Sequence, residues 1–151
     1  KYGAKLLIND HVEICLEISA DGFHLGLEDY LSEGNVELLK KNKEFISKNL
    51  ICGLSCKWNK ELVIDPPENE IKWTYLAVGS FYPSNTKSTI PETNENVKRK
   101  FLSYTDKPLV AIGGINKKNI GEVRSLGYSC FALSEALFEN PQNVLNEYKR
   151  L

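Results

Sequence analysis

Six short apolar runs alternate with helix-length segments along the chain, and few folds accept that rhythm. The runs cover residues 4–8, 22–25, 50–54, 74–78, 108–112 and 130–133. Helical patterning is predicted over 12–19, 36–48, 94–104, 118–126 and 144–151, with a further stretch near 59–72. Strands that are apolar on both faces and spaced by helices belong to a parallel sheet with both faces covered, so the class is α/β. Local punctuation agrees. Gly127 sits where the helix before the last strand should stop, and Pro141 after Asn140 suits the first turn of the closing helix. Pro66 and Pro67 leave room only for a short or broken helix after Cys56.

With 151 residues, 42% hydrophobic and 26% charged, the chain has the composition of one folded core, and a single domain over 1–151 is expected. A net charge of −1 argues against a nucleic-acid partner and favours a small molecule. Cys15, Cys52, Cys56 and Cys130 form no C-x-x-C pair, and only two histidines could help them hold zinc. Reduced thiols in a cytoplasmic protein follow. No apolar run approaches the ~18 residues of a membrane span, and no signal peptide is expected. The chain opens on Lys1 without an initiator methionine, which suggests a segment upstream.

Asp10 and Asp29 each stand just past an apolar run, in Leu6-Leu7-Ile8-Asn9-Asp10 and Phe23-His24-Leu25-Gly26-Leu27-Glu28-Asp29. If the two runs are parallel strands joined by a helical crossover, both carboxylates emerge on the same rim of the sheet, where α/β proteins keep their chemistry. Two hard oxygen donors at adjacent strand ends suit Mg²⁺, which fills its other positions with water and substrate phosphate. The simpler alternative is that both aspartates cap helices. Two later loops suit an anion. Gly79 to Lys87 offers hydroxyls, amides and an ammonium after one strand, and Gly113-Gly114 let the backbone approach a ligand, or merely form a turn, after the next. Periodicity alone leaves open whether six units make a doubly wound sheet or most of a barrel; late-strand phosphate loops favour the barrel. His24, inside an apolar run, reads as a hydrogen-bonded core residue and His11 as a surface residue. Cys52 and Cys56 read as packing groups, and the lysines between 40 and 48 as a solvated helix face.

The segments Leu6-Leu7-Ile8-Asn9-Asp10, Ala20 to Asp29, Gly53-Leu54-Ser55, Val78 to Lys87 with its Pro-Ser-Asn-Thr-Lys ending, and Val110 to Asn116 resemble, in one order over nearly the whole chain, the thiamine phosphate synthase family and its thiazole tautomerase relatives. The resemblance implies a (β/α)₈ TIM barrel of which this chain supplies strands 3 to 8, the first two βα units being absent. It implies Mg²⁺-dependent joining of hydroxymethylpyrimidine pyrophosphate to a thiazole phosphate, with release of pyrophosphate. On the same ground Asp10 and Asp29 are expected to hold the metal and Lys87 to act as the catalytic cation on the leaving group. Asn9 and Ser55 are expected to contact the pyrimidine, and Ser84, Thr86 and Gly114 the thiazole phosphate.

Three departures stand against this pattern. Nothing before Asn9 supplies the family's Gln-x-Arg-x-x-Lys pyrophosphate grip. The serine expected near the eighth strand falls at Glu135, with Ser134 one residue earlier, and a carboxylate facing phosphate is repulsive unless neutralised or turned away. His11 replaces an arginine that often follows Asn-Asp, removing a permanent cation. A tautomerase is expected to carry a histidine just after the Ser55 strand, where this chain has Lys57. A non-catalytic paralogue that binds a thiamine precursor or phosphate remains the other alternative. A barrel lacking two strands exposes two edges, so a missing segment or a second copy is expected to close it.

Overall fold

A computed structural model describes residues 3–67, 71–84, 90–139, 142 and 146. Six parallel strands lie side by side in chain order: β1 (Leu7–Asn9), β2 (Gly22–Gly26), β3 (Ile51–Ser55), β4 (Tyr75–Val78), β5 (Leu109–Ala111) and β6 (Cys130–Phe131). The sheet curls into a half-barrel, and β1 and β6 are its two edges. Helices α1 (Val12–Glu17), α2 (Leu27–Tyr30), α3 (Glu33–Lys41), α4 (Lys43–Asn49), α5 (Lys60–Ile64), α6 (Glu95–Phe101) and α7 (Ile120–Ser125) carry the crossovers, and α8 (Glu135–Glu139) follows β6.

Parallel register sorts the strand residues into layers. Leu25, Leu54, Leu76 and Leu109 occupy one level of the sheet and are buried in the core with Val12, Leu39, Ile46, Val63, Phe101 and Val123 from the helices. The alternate positions run Asn9, His24, Gly53, Tyr75 on one level and Gly26, Ser55, Ala77, Val110 on the next. Period-two alternation therefore gives this sheet a hydrocarbon face and a face rich in small and polar groups. The inner strands are the most buried, whereas β1 and β6 contain no fully buried residue.

Several helix boundaries differ from the sequence expectation. The single helix expected over 36–48 divides at Asn42, whose side-chain amide donates to the Leu38 carbonyl at 2.9 Å and competes with the helical ladder there. The stretch near 59–72 contributes only α5; Asn59 caps it by accepting from Leu62 N–H at 3.1 Å, and Pro66 follows its end. Gly127 ends α7 as expected, at φ +107°, with its N–H on the Arg124 carbonyl. Helices α2 and α8 had no clear periodic signal, being too short to show one. Pro141 and most of the helix expected over 144–151 lie outside the described residues.

Candidate functional site

The carboxyl ends of all six strands surround one cavity of about 670 Å³. Asn9 and Asp10 reach it from β1, Asp29 from just beyond β2, Ser55 from β3, Ser84 from the loop after β4, Gly114 from the loop after β5, and Ser134 and Glu135 from beyond β6. Residues separated by up to 126 positions in the chain thus meet on one rim. Thr86 and Lys87 lie outside the described residues. Among the described residues no helix is long and apolar enough to cross a membrane.

On the β1–β2 side, the turn after β1 puts Asp10 at φ +66°, a left-handed conformation that aspartate tolerates better than most residues. Its N–H donates to the His24 carbonyl at 2.9 Å, extending the β1–β2 ladder by one bond, and the Asn9 amide donates to its carboxylate at 2.6 Å. Asp29 sits in the first turn of α2, where its charge suits the helix dipole. Its carboxylate turns back over Gly26; a Cβ on that glycine would stand 2.8 Å from Asp29 Oδ2. Neither aspartate occupies an N-cap: His11 precedes α1 and Gly26 precedes α2, and neither makes a side-chain cap. The capping explanation therefore fails for Asp10 and holds for Asp29 only as a dipole effect.

Asn35 of α3 joins the two segments. Its amide donates to the Asp10 carbonyl at 3.1 Å and to the Asp29 carbonyl at 2.8 Å. Nothing in the local sequence around Asn35 marks it as a clamp, because its partners are 25 and 6 residues away. Asp10 and Asp29 both line the cavity and carry hard carboxylate oxygens, the donor type Mg²⁺ takes. Among the described residues no group of three or more His, Cys, Asp or Glu side chains could hold a metal.

On the β4–β5 side the two loops interlock. Phe81 N–H donates to the Ile112 carbonyl at 3.0 Å and Tyr82 N–H to the Gly113 carbonyl at 3.1 Å. Gly113 and Gly114 adopt φ +93° and +63°, and a Cβ on either would fall 2.1 Å from Ser80 Oγ or 2.4 Å from the Pro83 carbonyl respectively. Both glycines are thus required by backbone conformation and by contact with the β4 loop. Asn119 donates to the Gly114 carbonyl at 3.0 Å and accepts from Asn116 N–H at 2.8 Å, fixing the outer turn.

His24 is half-buried and lines the cavity instead of lying in the core. Its Nδ1 is 3.0 Å from the Tyr75 hydroxyl, and the two rings stack; Gly53 leaves the space they fill. Burial pushes the Tyr75 hydroxyl up to about 12, so it stays protonated at neutral pH. All four thiols are free, with Cys15, Cys52 and Cys56 buried and Cys130 exposed. Burial raises Cys52 and Cys56 to about 12, which makes them the packing groups expected from the sequence.

A half-barrel of parallel strands with a polar cavity at their carboxyl ends defines a protein of the α/β-barrel class, whose ligand sites lie at that face. A family model described as thiamine monophosphate synthase matches residues 1–137, and the chain belongs to that family. It is 32% identical to the thiamine-phosphate synthase of Dictyoglomus turgidum over all of its own length and 63% of that protein's. It is 37% identical to the thiamine-phosphate synthase of Nitrosospira multiformis, over 91% of this chain and 55% of that one. The thiamine phosphate pyrophosphorylase structure from Pyrococcus furiosus superposes with a TM-score of 0.72 at 28% identity, covering 99% of this chain and 69% of the other. The chain therefore spans somewhat under two thirds of the length of these first two curated relatives.

Proposed function

We propose that this chain forms the substrate-binding part of a thiamine phosphate synthase, its six strands corresponding to strands 3 to 8 of an eight-stranded barrel. The observation that carries the reading is the convergence of Asn9, Asp10, Asp29, Ser55, Ser84 and Gly114 on one cavity in a member of this family. The reaction breaks the carbon–oxygen bond between the pyrimidine methylene and its diphosphate and forms a carbon–nitrogen bond to the thiazole ring. Pyrophosphate leaves with the bonding electrons. Such a departure is governed by positioning and by neutralising charge on the leaving group.

Asp10 and Asp29 would hold Mg²⁺, which when bound would supply the positive charge that neutralises the diphosphate. Asn35 keeps the two aspartate segments together. Lys87 contacts the leaving group, Asn9 and Ser55 orient the pyrimidine, and the hydroxyls of Ser84 and Thr86 with the Gly114 backbone receive the thiazole phosphate. The partners are thus small phosphorylated molecules, and cytoplasmic residence fits three buried thiols kept out of disulfides. Incubating the chain with both substrates and Mg²⁺ is expected to yield thiamine phosphate, directly or after extension by any upstream coding sequence. No product from the extended protein overturns the reading.

A second reading, binding of a thiamine precursor or phosphate without turnover, draws on Glu135, a carboxylate at the rim where the family carries a serine. Glu135→Ser separates the two, since it raises phosphate affinity in either case but raises turnover only in the enzyme. The tautomerase alternative is disfavoured by Lys57, which lines the cavity where that chemistry wants a histidine.

A further inference from the structure

Lys98 is a buried charged residue that the proposed reaction does not use. It lies on α6 with 6% of its surface exposed, although its neighbours Arg99 and Lys100 face solvent. An ammonium removed from water is costly unless something answers its charge and its donors. Its Nζ donates to the Phe81 carbonyl at 3.3 Å and stands 5.2 Å from the centres of both the Phe81 and Tyr82 rings. Cation–π contact and one carbonyl offset part of that cost. Among the described residues no carboxylate pairs with it.

What Lys98 holds is the entry to the loop that carries Ser84. Every carbonyl from Ser80 to Tyr82 has a partner: Ser80 accepts from the Trp58 indole at 2.9 Å and from Glu92 N–H at 3.1 Å, Phe81 from Lys98, and Tyr82 from the Ser80 hydroxyl at 2.6 Å. Tyr82 also donates to Glu122 of α7 at 2.9 Å. Of these groups Lys98 alone brings a buried positive charge, and it brings it to Phe81, three residues upstream of Ser84. The α6 helix that carries it is in turn fixed by the Tyr128 hydroxyl, which donates to the Lys98 carbonyl at 2.8 Å.

We propose that Lys98 is a positioning residue for anion binding: its ammonium locks the Phe81–Tyr82 turn and leaves the loop with a positive charge that a phosphoryl group bound at Ser84 and Gly114 neutralises. This rests on the phosphate-binding reading of the two loops given above. A residue that only filled space could be replaced by an unbranched apolar side chain without effect on the ligand. Lys98 cannot, because its charge and its hydrogen bond both serve the loop.

The test is titration of the full chain with inorganic phosphate, followed by calorimetry at low and at moderate salt. Lys98→Met, which keeps the stem and its packing, is expected to bind phosphate about tenfold more weakly and with a shallower salt dependence. Lys98→Arg, which keeps cation and donor, should stay within about threefold of the unaltered chain. Lys98→Gln carries the same test if the methionine variant does not fold. A lower melting temperature with unchanged phosphate affinity in Lys98→Met overturns the proposal and leaves the functional reading standing. Failure of the unaltered chain to bind phosphate overturns both.

Discussion

On the β1–β2 side of the cavity, the two aspartates sit in segments tied together by Asn35, whose amide donates to a backbone carbonyl of each. On the β4–β5 side, two loops exchange backbone hydrogen bonds and rest on a cluster in which Trp58, Phe81, Phe101 and Tyr128 pack edge to face or tilted at 4.9–5.1 Å. The first side puts two carboxylates at the rim of the cavity, the donors of the proposed metal corner. The second holds a loop backbone fixed by hydrogen bonds before a ligand arrives, which suits the proposed anion site. A metal ion can gather its own ligands, but an anion-binding backbone has to be rigid beforehand. The contrast predicts that the β4–β5 side is sensitive to shape and the β1–β2 side to charge.

The largest effect is expected where shape is tightest. Gly114→Ala places a methyl 2.4 Å from the Pro83 carbonyl at a residue held at φ +63°. A loss of about 2–4 kcal/mol in urea unfolding is expected, together with loss of phosphate binding. A variant as stable as the parent would show that the interlock is soft. Charge removal on the other side should do the reverse. Asp10→Asn suits the left-handed turn and Asp29→Asn keeps the side-chain shape, so each is expected to change unfolding by less than about 1 kcal/mol. Each should nevertheless weaken Mg²⁺-dependent pyrophosphate binding by at least tenfold, on the order of one lost charged ligand. Pyrophosphate affinity that ignores both substitutions removes the metal corner from the proposal.

Asn35→Ala tests the joint between these behaviours. It frees two carbonyls at once, and a loss of about 1–2 kcal/mol is expected, since water reaches a half-buried site and replaces part of what is removed. Pyrophosphate binding should fall while inorganic phosphate binding at the β4–β5 loops holds. An equal fall in both would mean that the two sides are one cooperative unit.

How much of this was legible in the sequence depends on how local the cause is. Alternation of apolar runs announced all six strands, because burial on both faces leaves a contiguous signature. Asp10, Asp29 and Gly114 reached the same cavity because strand-end position in a parallel sheet follows from chain order alone. Asn35, Trp58 and Lys98 were missed for the opposite reason. Each acts on a carbonyl at least six residues away, and the neighbours of Lys98 make it look like one more solvated base. Asn42 carried a usable signal, an amide able to bond its own helix, that the apolar periodicity around it concealed.

The effect that is smallest at neutral pH, because it develops only in alkali, concerns β3, the strand between the two sides. Cys52 and Cys56 titrate near 12 when folded, through burial, against an ordinary value of 9.0. The unfolded chain therefore releases these protons first as pH rises. Their contribution to stability is complete below about pH 9 and is lost between there and pH 12, at about 1 kcal/mol per pH unit for each thiol. Tyr75 and Tyr82, also held near 12 with burial as the leading cause, add to the same alkaline slope above their ordinary value of 10.0. Cys52→Ala with Cys56→Ala should flatten the slope measured by unfolding from pH 8 to 11. At neutral pH a thiol reagent should modify Cys130 alone in the folded chain. Ready modification of Cys52 would show that β3 opens to solvent, and the two sides of the cavity could then no longer be treated as fixed on one rigid strand.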